Sequence, residues 1–248
     1  MRRFLSPTTD IGAGKTLTLD AEESAHAARV LRLRPGASVR VFDGVGKEFE
    51  AELVDVHPKR TTCQVQRQVQ PVPETLVEMT LAFGLAKRNT TDWIIQKAVE
   101  LGAANLKPFI SVRSVSREQS DSSARLMRWR RIVRDATKQC GRARLCQIAD
   151  AVCWEDLLRQ RPANVAGVVC WEQTRGAQRL SQTLAQMGLG ATSGLWLVIG
   201  PEGGFTDEEI AIAKKAGYHV ASLGPRILRA ETAVAAALAV ALQALKEL

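Results

Sequence analysis

Two short segments near the C-terminal end carry residue types that could do chemistry. The first is Gly200-Pro201-Glu202-Gly203-Gly204-Phe205, directly after a continuous apolar run at 195–199. The second is Leu223-Gly224-Pro225-Arg226-Ile227-Leu228-Arg229-Ala230-Glu231-Thr232. Glycines after a buried strand let backbone N–H and C=O groups approach a ligand with no Cβ in the way. The prolines stiffen the loops, so less entropy is lost on binding. Neither segment reads G-x-G-x-x-G, and neither has the Lys-Ser/Thr of a phosphate loop. The pattern points to a flat heterocycle held by backbone contacts rather than to a polyphosphate. Arg229, between Leu228 and Ala230, needs a polar partner in such a setting. Taken singly, either loop reads as a structural turn; together, at this spacing, the two are the residues on which recognition rests.

A third glycine-containing stretch, Gly12-Ala13-Gly14-Lys15-Thr16, resembles the end of a phosphate loop, but Thr9 stands where that motif needs its first glycine. No buried strand leads into it, so an ordinary turn is expected. Five cysteines with no C-x-x-C pair and three scattered histidines argue against a disulfide framework and a structural zinc site. No metal is expected.

The chain has 34 Lys+Arg against 26 Asp+Glu, a formal charge of +8. Residues 107–145 alone hold eleven Lys or Arg against Glu118, Asp121 and Asp135. A local block of this kind points to a polyanion, most simply nucleic acid. A solvated helix face is the equal alternative. Aromatic residues are only 5% of the chain, so recognition by shape is expected over broad base stacking. The uncharged stretch of the last helix is too short and too Ala-rich to span a bilayer. The first residues lack the apolar core of a signal peptide. A reducing cytoplasm is the expected setting.

These loops need a scaffold, and the pattern along the chain supplies one. Residues 1–70 read as short strands at 39–42, 48–56 and 62–69 with one helix at 20–31, started by Asp20 and Glu23. Close spacing of short strands predicts a small β-barrel. Pro71-Val72-Pro73 reads as a linker. From 74 to 248, strands at 77–83, 165–170, 195–199 and 218–223 alternate with helices at 91–102, 124–140, after Thr206 and from 230 onward. Alternation of this kind predicts an α/β domain with a largely parallel sheet. Such sheets bind ligands beyond the carboxyl ends of their strands, where both glycine loops fall.

The paired loops resemble the C-terminal signature of the SPOUT methyltransferases, and most closely the RsmE family, which methylates N3 of a uridine in 16S ribosomal RNA. The resemblance covers nearly the whole chain. His26-Ala27-Ala28-Arg29-Val30-Leu31-Arg32-Leu33-Arg34-Pro35-Gly36 and Val41-Phe42-Asp43-Gly44 resemble that family's N-terminal PUA-like domain. Lys87, Gln96-Lys97-Ala98-Val99-Glu100-Leu101-Gly102 and Lys138-Gln139-Cys140-Gly141-Arg142 are similar to stretches of its catalytic domain. Val112 departs from the family's usual Glu, and Cys146 from a common proline.

The resemblance implies a SPOUT-type α/β domain with a C-terminal trefoil knot, preceded by a small PUA-like β-barrel domain, and a homodimer. It implies S-adenosylmethionine as cofactor, bound by Gly200, Pro201, Glu202, Gly203, Gly204, Leu223, Gly224, Ile227 and Leu228, with Glu172 as a further candidate. N3 of uracil must lose its proton before attacking a sulfonium methyl. Arg229 is the candidate to stabilise the uracil anion. Glu231 or Glu202 is the candidate to accept the proton. Each glutamate has a plainer role open to it: Glu231 as a charge at a helix N-terminus, Glu202 as a tie between loops. Arg29, Arg32 and Arg34 from the small domain, with Arg113, Arg125, Arg128, Arg131, Arg134 and Arg142, are the candidate RNA contacts. The partner expected is 16S rRNA within an assembled small ribosomal subunit. A SPOUT enzyme acting on a ribose 2′-OH and a catalytically silent RNA-binding protein stay open at this point.

Overall fold

The computed structural model describes residues 1–6, 8, 10–114, 122–173, 176, 178–190 and 193–247. Thr9 beside the glycine turn, and Arg117, Glu118 and Asp121 of the basic block, lie outside the described residues. The chain divides into two compact units, Met1–Glu74 with Arg134–Leu145, and Thr75–Val133 with Cys146–Leu248.

The first unit holds β1 (Arg2–Leu5), β2 (Thr16–Thr18), α1 (Ala21–Ala25), a π-helical turn (His26–Val30), β3 (Ser38–Phe42), β4 (Glu48–Asp55) and β5 (Thr62–Val69). Its strands pair in the order β1-β3-β4-β5-β2, with β1 parallel to β3 and the other pairs antiparallel. Period-2 alternation sends Val39, Val41, Phe49, Ala51, Leu53, Cys63 and Val65 inward against Phe4 and Ala27. Register shifts in β4, between Glu50 and Ala51 and between Leu53 and Asp55, bend the sheet around this core. Asp20 caps α1 by accepting the Glu23 N–H at 2.7 Å. Glu23 itself is buried and accepts from Lys138 Nζ at 2.9 Å. Lys15 pairs with Asp10, so the glycine-turn lysine is occupied as a surface ion pair. His26 is half-buried with its ring edge on Phe4.

The second unit is an α/β layer structure. Its elements are β6 (Glu78–Gly84), α2 (Arg88–Glu100), β7 (Asn105–Ile110), the first turns of α3 (Ser122–Cys140), β8 (Gln147–Ile148), β9 (Val152–Cys153) and α4 (Trp154–Gln160). They continue with β10 (Ala166–Cys170), α5 (Leu180–Met187), β11 (Gly194–Ile199), α6 (Asp207–Lys215), β12 (His219–Ala221) and α7 (Ala230–Ala244). The sheet runs β12-β10-β11-β6-β7-β8, with β9 also on β7, and every pair is parallel. β10 and β11 are apolar throughout because helices cover both faces. Thr206 and Glu209 form a reciprocal capping box at the start of α6. Among the described residues, no helix is long and apolar enough to cross a membrane.

Candidate functional site

Three chain segments end at one edge of the parallel sheet, and a cavity of about 590 Å³, counted to its open mouth, lies between them. Cys170, Trp171 and Glu172 follow β10; Ile199, Gly200, Pro201, Glu202 and Gly204 follow β11. Leu223, Gly224, Arg226, Ile227 and Leu228 follow β12, and Ala230 and Ala233 close the cavity from the first turns of α7. The position is the one that a parallel sheet offers, beyond the carboxyl ends of its strands. Trp171 N–H donates to the carbonyl of Ala221 at 3.0 Å, which ties the end of β10 to the end of β12.

The glycine loop after β11 is shaped by close approaches. Gly204 has φ +69, a left-handed conformation that disfavours side chains, and its N–H closes a turn on the Pro201 carbonyl at 2.9 Å. A Cβ there would lie 2.3 Å from Glu172 Oε1, so the Glu172 carboxylate rests directly on this glycine. Thr90 Oγ1 donates to Glu202 Oε1 at 3.3 Å. Burial pushes the Cys170 thiol up to about 12, so this wall residue stays a neutral thiol rather than a competing nucleophile at neutral pH.

Of the residues expected to hold a cofactor, Gly200, Pro201, Glu202, Gly204, Leu223, Gly224, Ile227, Leu228 and Glu172 all line this cavity. Gly203 does not; it faces outward, where a Cβ would meet Arg113. Arg229 is the N-cap of α7, exposed and with no ion pair among the described residues. Glu231 is half-buried in the first turn of α7, where negative charge also suits the helix dipole. Neither is in the cavity wall, and Arg226 is. Arg226, Trp171, Ile199, Ala230 and Ala233 were not anticipated. The alanines had a readable signal, since small residues one helical turn apart clear space beside a loop.

The basic block is divided by its partners. Arg125 donates to Asp150 at 2.8 Å, Arg128 pairs with Asp92, Arg134 with Glu22, and Arg142 Nε bonds Glu74 at 2.9 Å. Burial raises the Asp150 carboxyl, but bonds from Arg125 and the Ala151 N–H outweigh it and hold the group below its ordinary value. Burial pushes Asp92 up, against the pull of Arg128 and Arg88. Arg142, expected as an RNA contact, is 5% exposed and held by Glu74, so it is a buried structural cation instead. A local charge count misses these acids because they come from distant segments. Met127, Arg130 and Arg131 stay exposed along one row of α3 at i, i+3 and i+4 spacing. Arg29, Arg32 and Arg34 are exposed in the first unit, Arg32 with φ 50. Arg113 is turned toward backbone carbonyls at Gly203 and Phe205. Among the described residues, no cluster of three His, Cys, Asp or Glu could hold a metal ion.

Comparison with known proteins agrees with this layout. The profile of an RNA methyltransferase domain matches residues 73–242, and that of an RNA methyltransferase PUA domain matches residues 19–66. Ribosomal RNA small subunit methyltransferase E of Bacillus subtilis is 30% identical over 237 residues, 94% of this chain and 93% of that protein. The protein of the same name from Synechocystis is 34% identical over 90% of this chain and 72% of its own length. The crystal structure of ribosomal RNA small subunit methyltransferase E from Neisseria gonorrhoeae, bound to S-adenosyl methionine, superposes with a TM-score of 0.87 at 29% identity, covering 98% of this chain and 97% of that one.

Proposed function

This chain belongs to the RNA methyltransferase family of the ribosomal RNA small subunit methyltransferase E type, and from that premise we propose that it transfers a methyl group from S-adenosylmethionine to N3 of a uridine in 16S ribosomal RNA. The observation that carries this reading is the convergence of both glycine loops and the β10 end on one cavity.

The cavity suits the cofactor. Ile199, Leu223, Ile227 and Leu228 supply apolar walls for a heterocycle, and the glycine loops supply backbone donors and acceptors. Glu172 places a carboxylate at the wall, where it can accept from hydroxyl or ammonium groups. Bound there, the cofactor supplies an already activated methyl, so no metal is required.

The remaining work falls to the chain. N3 of uracil is a weak acid and must be deprotonated to attack. Arg229, a permanent cation at the start of α7 with no ion pair among the described residues, is available to hold the resulting anion. Glu202, oriented by Thr90, or Glu231 takes the proton. The reading includes the trefoil knot and the homodimer that the resemblance implies. Ile227, 83% exposed beside the cavity, is an apolar side chain that a second copy would cover.

RNA is held by Arg29, Arg32 and Arg34 and by the exposed row on α3. Reversing Arg130 and Arg131 to Glu is expected to weaken RNA binding and lower its log–log salt slope by about 1.4, near 0.7 per lost phosphate contact. An unchanged slope in a salt titration would show the row to be only a solvated face. The function itself is tested by methyl transfer from labelled S-adenosylmethionine to small ribosomal subunits lacking base methylation. Label recovered as 3-methyluridine is expected. Label in a ribose-methylated nucleoside would redirect the enzyme to another position.

A further inference from the structure

Segment 111–114 lies against the outside of the 200–205 loop and is fastened to it at several levels. At the backbone, a Cβ on Gly203 would sit 2.8 Å from Arg113 Cβ and 2.9 Å from its carbonyl oxygen. Contact that close is open only to glycine. Above it, Arg113 Nη1 donates to the carbonyls of Gly203 at 3.3 Å and Phe205 at 3.4 Å. From the far end of the loop, Glu209, 4% exposed, accepts the Val112 N–H at 3.0 Å on one oxygen and the Thr206 N–H at 2.9 Å on the other. Ser111 and Ser114 close the segment on itself: the Ser111 N–H donates to Ser114 Oγ at 3.0 Å, and the Ser114 N–H to the Ser111 carbonyl at 3.1 Å. Beneath lies a rigid floor, with the Phe205 ring 6.0 Å from Phe109 and 5.0 Å from Trp154, whose Nε1 donates to the Glu209 carbonyl at 3.2 Å.

None of these fastening groups belongs to the cavity wall. They act on Gly203, whose two neighbours, Glu202 and Gly204, do line it. Both bonds leave one nitrogen, Nη1, so the Gly203 and Phe205 carbonyls must converge on a single guanidinium NH2 group, which restricts the loop's curvature. Glu209 holds the other end by bonding the loop's exit and the neighbouring segment together.

We propose that Arg113 and Glu209 are positioning residues that hold the 200–205 loop in its cofactor-binding shape, and that Arg113 serves this loop rather than RNA. The proposal rests on the assignment of the cavity to S-adenosylmethionine. It also accounts for Val112. The contact uses the backbone N–H, and the side chain is 61% exposed, so its identity is free to depart from the family's usual residue.

Arg113→Ala removes an exposed side chain, and the protein is expected to fold with its melting temperature nearly unchanged. By calorimetry its Kd for S-adenosylmethionine should rise about tenfold. In turnover, KM for the cofactor should rise alongside while kcat changes little. The RNA salt slope should stay as in the unmodified chain. Arg113→Lys keeps the charge but not the fixed plane and reach of the guanidinium, and should recover only part of the affinity. Unchanged cofactor affinity in Arg113→Ala, or a salt slope reduced by about 0.7, would overturn the proposal and make Arg113 a phosphate contact. Failure of the unmodified chain to bind the cofactor would overturn the assignment of the cavity, and this proposal with it.

Discussion

Gly84→Ala is expected to weaken cofactor binding severely, although residue 84 does not line the cavity. Gly84 ends β6, which pairs with β11 in register, Phe83 opposite Ile199. A Cβ on Gly84 would lie 2.4 Å from Pro201 N, 2.5 Å from its Cδ and 2.8 Å from its Cα. No flexible side chain is there to move; the obstacle is backbone and a closed ring. Either the two strand ends separate or the 200–205 loop lifts. Overpacking of this kind costs about 1–3 kcal/mol in stability. The lifted loop also carries Pro201 and Glu202 out of the wall. Kd for S-adenosylmethionine should rise by about a hundredfold or more, equivalent to about 2.7 kcal/mol. Gly190→Ala, where an added Cβ meets nothing within 4 Å, is the matched control and should be near neutral. Retained affinity in Gly84→Ala would mean that the loop does not depend on the β6 backbone.

Arg229→Ala should show the opposite profile. Its guanidinium is exposed at the N-cap of α7 and outside the cavity wall, so cofactor affinity should barely change. Methyl transfer at saturating cofactor should fall by about 10²–10³, the usual loss when one preorganised charge facing a developing anion is removed. Arg226→Ala, by contrast, alters the wall and should weaken cofactor binding. Single-turnover rates with parallel calorimetry separate the two. If Arg229→Ala lost affinity and rate in equal measure, Arg229 would belong to the pocket instead.

The parts of the fold that could be read directly were those whose signal is local. β10 and β11 are uninterrupted apolar runs, the capping pattern marks α6, and the glycine loops stand next to the strands that carry them. β7 escaped because Lys107 and Pro108 interrupt its apolar residues, and Lys107 reaches out to Gln160 Oε1 at 3.3 Å. β8 and β9, two residues each, are too short to show a period. In the site, the cavity-facing glycines were legible, but Gly84 was not, since its need for a bare Cα arises from a loop far along the chain. The ion pairs of the arginines are hidden for the same reason. Their charge is visible in sequence, while the carboxylates that occupy Arg125, Arg128, Arg134 and Arg142 are supplied by the fold.

The strand order also dictates when the site can come into being. Among the described strands β12 pairs only with β10, on the side away from β11, and the cavity takes its last walls from residues 223–233. As the chain emerges from the ribosome, β6, β7, β10 and β11 can pair before either β12 or α7 exists. Until the last helix has been synthesised and docked, there is no pocket, so the cofactor cannot steer early folding. It binds only the finished native state and stabilises that state by mass action. An enzyme directed at ribosomal RNA thus gains its cofactor site only once residues 223–233 have been made and docked.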